Sequence, residues 1–316
     1  MIDVILLPLD GSELAEAALP YAAAIQKAFQ SRLLLLRVVG RTEGAGNGVE
    51  WRLSQAEARS YVDGIVERLQ EDGVEADAMV TAGKPSEAIL ETAREEEADL
   101  VVLSSHGAGG PSPFEVSGTA HKVLSSGDLS VLLVRVGEGM RRPDKMTLKR
   151  ILVPMDGSAR SEWALCLAAT VARSSGAELF LLPILPRPEG VLPMKEQSEM
   201  DRLLEKARRA ADDRLEGWMA QLEAPDLSIR SEVKVAPSVP RAIDEVARRE
   251  DASIVILSAH GKTASDAWPY GSVSGAVLQH GATPVLVLQD APARIQEKQS
   301  SQSRWRSTRP DAAWTT

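Results

Sequence analysis

The chain has 316 residues, enough at roughly 150 residues per domain for two units that each bury a core. Apolar residues make up 44% and charged residues 26%, with aromatics at 4%, which excludes collagen-like, fibrous and wholly disordered chains. Lys and Arg number 36 against 45 Asp and Glu, a net charge of −9, so the broad positive field that non-specific nucleic-acid binding needs is missing.

Residues 1–10 carry no basic leader segment, and the chain opens on a short apolar strand, Val4–Pro8. Over 13–29, Leu14, Ala18, Tyr21, Ile25 and Phe29 recur at helical spacing, with Pro20 expected to kink the helix. Residues 33–39 are almost continuously apolar, as in a strand buried on both faces of a parallel sheet. The run Gly44-Ala-Gly46-Asn-Gly48 is read as a flexible loop, because no strand directly precedes it as a dinucleotide fingerprint requires. A helix is predicted over 50–71 with Leu53, Ala56, Ile65 and Leu69 facing inward. It is followed by a strand at 76–81 and a helix at 85–97 whose Pro85 sits in the first turn, where a missing N–H costs nothing. A strand at 100–104, a short helix at 118–125 and a strand at 131–136 complete five strands alternating with four helices. That order specifies a doubly wound parallel α/β unit.

The chain then repeats itself. Ile5-Leu-Leu-Pro-Leu-Asp-Gly-Ser12 returns as Ile151-Leu-Val-Pro-Met-Asp-Gly-Ser158, Leu103-Ser-Ser-His-Gly107 as Leu257-Ser-Ala-His-Gly261, and Val131-Leu-Leu-Val134 as Val285-Leu-Val-Leu288. Strands of the second copy are expected near 150–154, 178–184, 229–235, 253–258 and 284–288. The domains are therefore 1–138 and 150–290, joined by a polar Gly- and Pro-bearing linker at 139–149. The Gln-, Ser- and Arg-rich tail at 291–316 is expected to be disordered, with Trp305 and Trp314 marking it as a possible interaction segment. Cys166 is the only cysteine, which excludes an internal disulfide framework and fits a reducing cytoplasm. No apolar run approaches the roughly 20 residues that span a bilayer, so no membrane partner is expected.

In open parallel sheets, ligands sit beyond the carboxyl ends of the strands, and the repeated motifs fall there. Asp10 and Asp156 end the first strand of each half and precede Gly-Ser. A carboxylate in that place either receives a ribose hydroxyl or caps the following helix. After the fourth strand of the second half comes Ser258-Ala-His-Gly261, then nine residues, then Gly271-Ser272 opening a helix. Glycine lets backbone N–H groups approach an anion, and a helix N-terminus adds unpaired donors and a positive dipole end.

This pairing of Pro-x-Asp-Gly-Ser with Gly, nine residues and Gly-Ser resembles the universal stress protein family in its tandem form, over both halves but not the tail. The resemblance implies two Rossmann-like nucleotide-binding units arranged as a pseudo-dimer within one chain, with ATP, with or without Mg2+, as ligand. Carried over by position, Asp156 would meet the ribose and Ile184 would hold the adenine through its backbone, while Ser258, Gly261, Gly271, Ser272 and Val273 would surround the phosphates, with Pro154 and His260 as further nucleotide contacts. The first half offers Pro8, Asp10, Val38, Ser104, Gly107, Gly118 and Thr119. Serine replaces the leading glycine of the signature in both halves, at Ser104 and Ser258. The first half also has ten residues between Gly107 and Gly118, Pro111 and Pro113 among them. The second half is therefore the expected binding half.

Other chemistry is thinly represented. Gly261-Lys262-Thr263 imitates the end of a Walker A loop, but Ile256 stands where its first glycine belongs. Lys262 remains a phosphate contact or a solvated loop lysine. His106 and His260 occupy equivalent loops, whereas His121 and His280 are read as surface residues. Gly271-Ser-Val-Ser-Gly275 has Val273 in place of a nucleophilic serine, and no metal-ligand spacing occurs. No catalytic residue and no metal site is expected. The leading function is a cytoplasmic stress-response regulator that binds an adenine nucleotide, with slow hydrolysis or none, and works with a protein partner that the sequence does not identify. The alternatives are an interaction scaffold without nucleotide and a slow ATPase. The short apolar fifth strands are expected to pair the two halves with each other, with a homodimer as the further assembly.

Overall fold

A computed structural model describes residues 2–40, 48–110, 116–126, 129–136, 148–187, 194–222, 225–261 and 269–289. The tail, linker residues 139–147, residues 44–47 of the glycine-rich loop, Lys262, Pro111 and Pro113 lie outside these residues; at the end of the linker Leu148 is buried and Lys149 N–H donates to the Ser253 hydroxyl at 2.9 Å. The first half runs β1 (Val4–Pro8), α1 (Glu13–Glu16), α2 (Leu19–Phe29), β2 (Arg32–Val39), α3 (Gly48–Glu71), β3 (Ala76–Ala82), α4 (Pro85–Glu95), β4 (Leu100–Ser104), α5 (Gly118–Ser125) and β5 (Ser130–Val134). The second runs β6 (Arg150–Met155), α6 (Ala159–Ser175), β7 (Glu178–Pro186), α7 (Met194–Leu222), β8 (Ile229–Ser231), β9 (Lys234–Ala236), α8 (Val239–Arg249), β10 (Ile254–Ser258), α9 (Ser272–His280) and β11 (Val285–Leu288).

The strands form one sheet in the order β3-β2-β1-β4-β5-β11-β10-β6-β7-β8, with β9 also on β7. Within each half the pairs are parallel, and the order reverses between β1 and β4, and again between β6 and β10. At the centre β5 and β11 pair antiparallel, Val131 opposite Val287 and Leu133 opposite Val285. The expected joining of the halves through their fifth strands is thus a backbone ladder, and the tandem chain closes both of those edges within itself. Because that pairing is antiparallel, the carboxyl ends of the strands lie on opposite edges of the continuous sheet in the two halves.

Two apolar layers cover the sheet, and each crosses the seam. One joins Ile5, Leu7, Leu33 and Val102 with Ile151, Val153 and Leu181 beneath α2, α3, α6 and α7. The other joins Leu6, Leu34 and Val101 with Leu152, Phe180 and Val255 beneath α4, α5, α8 and α9. Strands covered on both faces need no polar alternation, which explains the near-continuous apolar runs.

Three local expectations are corrected. Pro20 does not kink one helix but separates two. It has no N–H to return to the preceding turn, so α1 ends at Glu16 and α2 restarts at Leu19 with Pro20 in its first turn. In α3 the inward stripe is Ala58, Val62, Ile65 and Leu69. Leu53 is 57% exposed and Ala56 is also exposed, because both lie in the part of α3 before the buried stripe begins. The strand expected at 229–235 is two short ones, broken opposite Pro183 of β7, which has no N–H to give the ladder.

Candidate functional site

The Asp-Gly-Ser turns after β1 and β6 are built alike. Gly11 and Gly157 have φ of +86° and +73°, a left-handed conformation that favours glycine. It lets the chain double back so that Ser12 and Ser158 cap the next helices, accepting from Ala15 N–H at 3.2 Å and Ser161 N–H at 3.1 Å. Each aspartate also accepts the serine amide two residues on, at 3.0 Å for Asp10 and 2.9 Å for Asp156.

The two carboxylates differ in burial. Asp10 is partly buried, and it further accepts the Ser12 hydroxyl at 2.5 Å and the Ala108 N–H at 2.7 Å. Burial pushes its pKa up. The Ser12 hydroxyl, the Ala108 and Ser12 amides and nearby Arg37 outweigh that effect and hold it below the ordinary carboxylate range. Asp156 is exposed, and Pro183 stands where the first half has Arg37.

Both aspartates press against the glycine of the loop after the fourth strand. A Cβ on Gly107 would overlap Asp10 Oδ2 and stand 3.0 Å from Cγ, while a Cβ on Gly261 would meet Asp156 Oδ2 at 2.5 Å. Sequence reading assigned these glycines to phosphate approach. The structure adds that each also makes room for the carboxylate of its own half. Ser104 and Ser258, which replace the leading glycine, turn their hydroxyls back onto the carbonyls of His106 at 2.6 Å and His260 at 2.9 Å, so both loops carry an internal brace.

The loops return to helices in one register. Gly271 N–H donates to the Ala259 carbonyl at 2.8 Å, and in the first half Ser117 N–H donates to the Ser105 carbonyl at 2.7 Å. Ser117, rather than Gly118, therefore occupies the position of Gly271. Both loops span nine residues, and the extra length expected in the first half is an offset of one in matching glycine to glycine. Gly118 falls where Ser272 stands and Thr119 where Val273 stands. Ser117 caps its own helix, accepting from Ala120 N–H at 3.3 Å. Gly271 has no side chain with which to cap α9, and Ser272 follows it at the exposed first helical position. Counting nine residues from Gly107 would have found Ser117 in the sequence.

The structure thus brings Asp156, Gly261, His260 and Gly271 together at one edge, with Ser272 and Val273 opening α9. Pro154 and Ile184 lie on the adjoining strands, Pro154 in register with Leu182 two residues before Ile184. In the first half Asp10, Gly107 and Ala108 meet, and Pro8 pairs with Leu36, two residues before Val38. His106 is buried at 6% exposure, its Nδ1 3.0 Å from the Ser105 hydroxyl. His121 and His280 are exposed, as read from the sequence. Among the described residues, no group of three or more His, Cys, Asp or Glu is placed to hold a metal ion, and no helix is long and apolar enough to cross a membrane.

Comparisons with known proteins agree with this architecture. A universal stress protein of Thermus aquaticus is 31% identical over 144 residues, 43% of this chain and the whole of that protein. One of Mycobacterium tuberculosis is 29% identical over 192 residues, 60% of this chain, and the match spans 62% of that relative's length, under two thirds. The crystal structure of a universal stress protein from Pseudomonas aeruginosa superposes with a TM-score of 0.65 at 18% identity, covering 95% of this chain and 98% of that one; that likeness shows the fold. The universal stress protein family profile matches twice, at residues 1–135 and 147–289, and the chain belongs to the universal stress protein family in tandem form.

Proposed function

We propose that the chain is a stress-response regulator of the cytoplasm that binds ATP or a related adenine nucleotide in its second half. The observation that carries this reading is the N-terminus of α9. Gly271 leaves the first-turn amides without a side-chain cap, and Ser272 adds a hydroxyl beside donors suited to an anion. Asp156 at the facing turn would accept the ribose hydroxyls. Ile184 would hold the adenine through its backbone, and Ser258, His260, Gly261 and Val273 would line the phosphate end. Mg2+, where present, would arrive on the phosphates.

The first half supports the second reading, a scaffold without nucleotide, for itself alone. Asp10 already accepts three hydrogen bonds, Ser117 caps its own helix, and Gly118 brings no hydroxyl. We assign it the role of a fixed pseudo-subunit, with domain limits of 1–138 and 150–290. A homodimer would need a surface other than the fifth strands, and the protein partner would read the nucleotide state.

The test is to denature gently purified protein and identify the released small molecules by mass spectrometry, alongside thermal shift with ATP and Mg2+. About one adenine nucleotide per chain, lost in Asp156→Ala and kept in Asp10→Ala, is expected. Protein that is empty and does not shift with millimolar ATP would overturn the assignment.

A further inference from the structure

The side chain of Arg135, just beyond β5, leaves its own half. Its guanidinium donates to the carbonyl of Leu278, in the last turn of α9, while its Nε is buried without an acceptor. Burial lowers its pKa, and no carboxylate pairs with it among the described residues. Such a cation is a poor choice for a seam that only needs to be sticky, since the residues paired across it, Val131–Leu133 with Val285–Val287, are apolar. Its place is informative, because α9 is nine residues long, about 13 Å, and its other end is Gly271-Ser272.

The residues on either side of Arg135 lead back to the first-half loop. Ser105 N–H donates to the Val134 carbonyl at 2.8 Å, and Val136 N–H donates to the Ser105 hydroxyl at 3.1 Å. Ser105 is buried and adjoins Ser104, His106 and Gly107. An unbroken series of bonds therefore runs from the first-half loop through Ser105 and Arg135 into the C-terminal end of α9.

The counterparts share the backbone part of this arrangement but not its side chains. Ala259 N–H donates to the Leu288 carbonyl at 2.7 Å, but Ala259 has no hydroxyl where Ser105 does. Gln289, in the place of Arg135, turns its side-chain amide to the Pro269 carbonyl of its own half at 2.5 Å, and its backbone N–H donates across the seam to the Ser130 hydroxyl at 3.1 Å.

We infer that Arg135 is a strut, a positioning residue through which the first-half loop controls the geometry of the anion-binding helix α9 in the second half. A cation at the C-terminal end of a helix and an anion at its N-terminal end are both stabilised by the helix dipole. Arg135 thus favours the same arrangement of α9 as a bound phosphate, and a loosened first-half loop weakens that preference. The affinity arm of the test rests on the nucleotide reading above; the exchange arm does not.

The experiment is amide hydrogen exchange on the full chain for the parent, Arg135→Met, Arg135→Lys, Ser105→Ala and the Ser105→Ala/Arg135→Met double variant. Arg135→Met should speed exchange at residues 277–281 without raising it across the sheet. Lysine should restore part of the protection, and Ser105→Ala should act in the same direction. The double variant should go no further than Arg135→Met alone, because both act through one path. ATP affinity should fall about two- to fivefold in Arg135→Met, the size of a helix-end charge effect. Unchanged exchange at 277–281, additive effects of the two substitutions, or undiminished ATP affinity in Arg135→Met would each overturn the strut. Failure of the parent to bind ATP would end the nucleotide reading, with the strut still judged on exchange.

Discussion

Gly107→Ala separates the two roles that glycine plays after β4. Gly107 does not have a left-handed φ, so alanine meets no backbone penalty there, and any cost comes from the added methyl. That methyl would overlap Asp10 Oδ2 and crowd Cγ at 3.0 Å. The carboxylate must swing away, and the swing breaks the 2.7 Å bond from Ala108 N–H. A hydrogen bond to a charged group is worth about 1.5–3 kcal/mol. With Asp10 only partly buried, about 2 kcal/mol is the expected loss, a fall of roughly 4–8 °C in Tm for a unit of this size.

The decisive assay is a double-mutant cycle by urea and thermal unfolding. In an Asp10→Ala background the methyl has no carboxylate to displace, and Gly107→Ala should cost under about 0.5 kcal/mol, the ordinary value for a change away from strained or buried features. Gly261→Ala is the internal comparison. Its methyl would stand 2.5 Å from Asp156 Oδ2, but Asp156 is exposed and can yield into solvent, so a loss near 1 kcal/mol is expected, within the usual range for crowding. Equal costs of Gly107→Ala with and without Asp10 would show that the glycine is not there for the carboxylate.

The same contact predicts acid sensitivity. Asp10 has its pKa lowered by folding, so its contribution is complete above the ordinary aspartate value of 3.8 and is lost as pH falls below it; Asp10→Asn should flatten the stability profile in that range, and a profile identical to the parent's would refute the reasoning. Gly157→Ala places a side chain at φ +73° and should cost about 1–2 kcal/mol in urea unfolding, while sparing the β5–β11 seam as read by hydrogen exchange. Leu132→Ala, in a fully buried site at the centre of the sheet, should cost about 2–5 kcal/mol, and a loss below 1 kcal/mol would mean that the seam is not packed as described. Ser272→Ala should weaken ATP binding while leaving Tm without ligand unchanged, checked by calorimetry beside thermal shift.

Most of the fold is legible in the chain because its informative features are local. Val4–Pro8, Leu100–Ser104 and Gly118–Ser125 begin and end where composition places them, since a strand covered on both faces must be apolar throughout and a short helix needs a start signal and an apolar stripe. The split of the strand at 229–235 was hidden because its cause, Pro183, lies in a different strand. The first-half loop was misaligned for a related reason. Glycine and serine both serve at a helix start, so matching Gly118 to Gly271 by letter puts the register one residue late, and the shared bond to the residue after Ser104 or Ser258, like the nine-residue spacing, makes Ser117 the equivalent. The site depends on contacts that no local pattern encodes, Asp10 against Gly107 and Arg135 against Leu278. The first contact has its counterpart in Asp156 against Gly261; duplication explains why the second does not recur. Once β5 and β11 had joined two copies covalently linked in one sheet, symmetry was no longer needed to keep them paired. One seam residue could become a charge aimed at the other half, while the second copy kept an uncapped helix for a ligand.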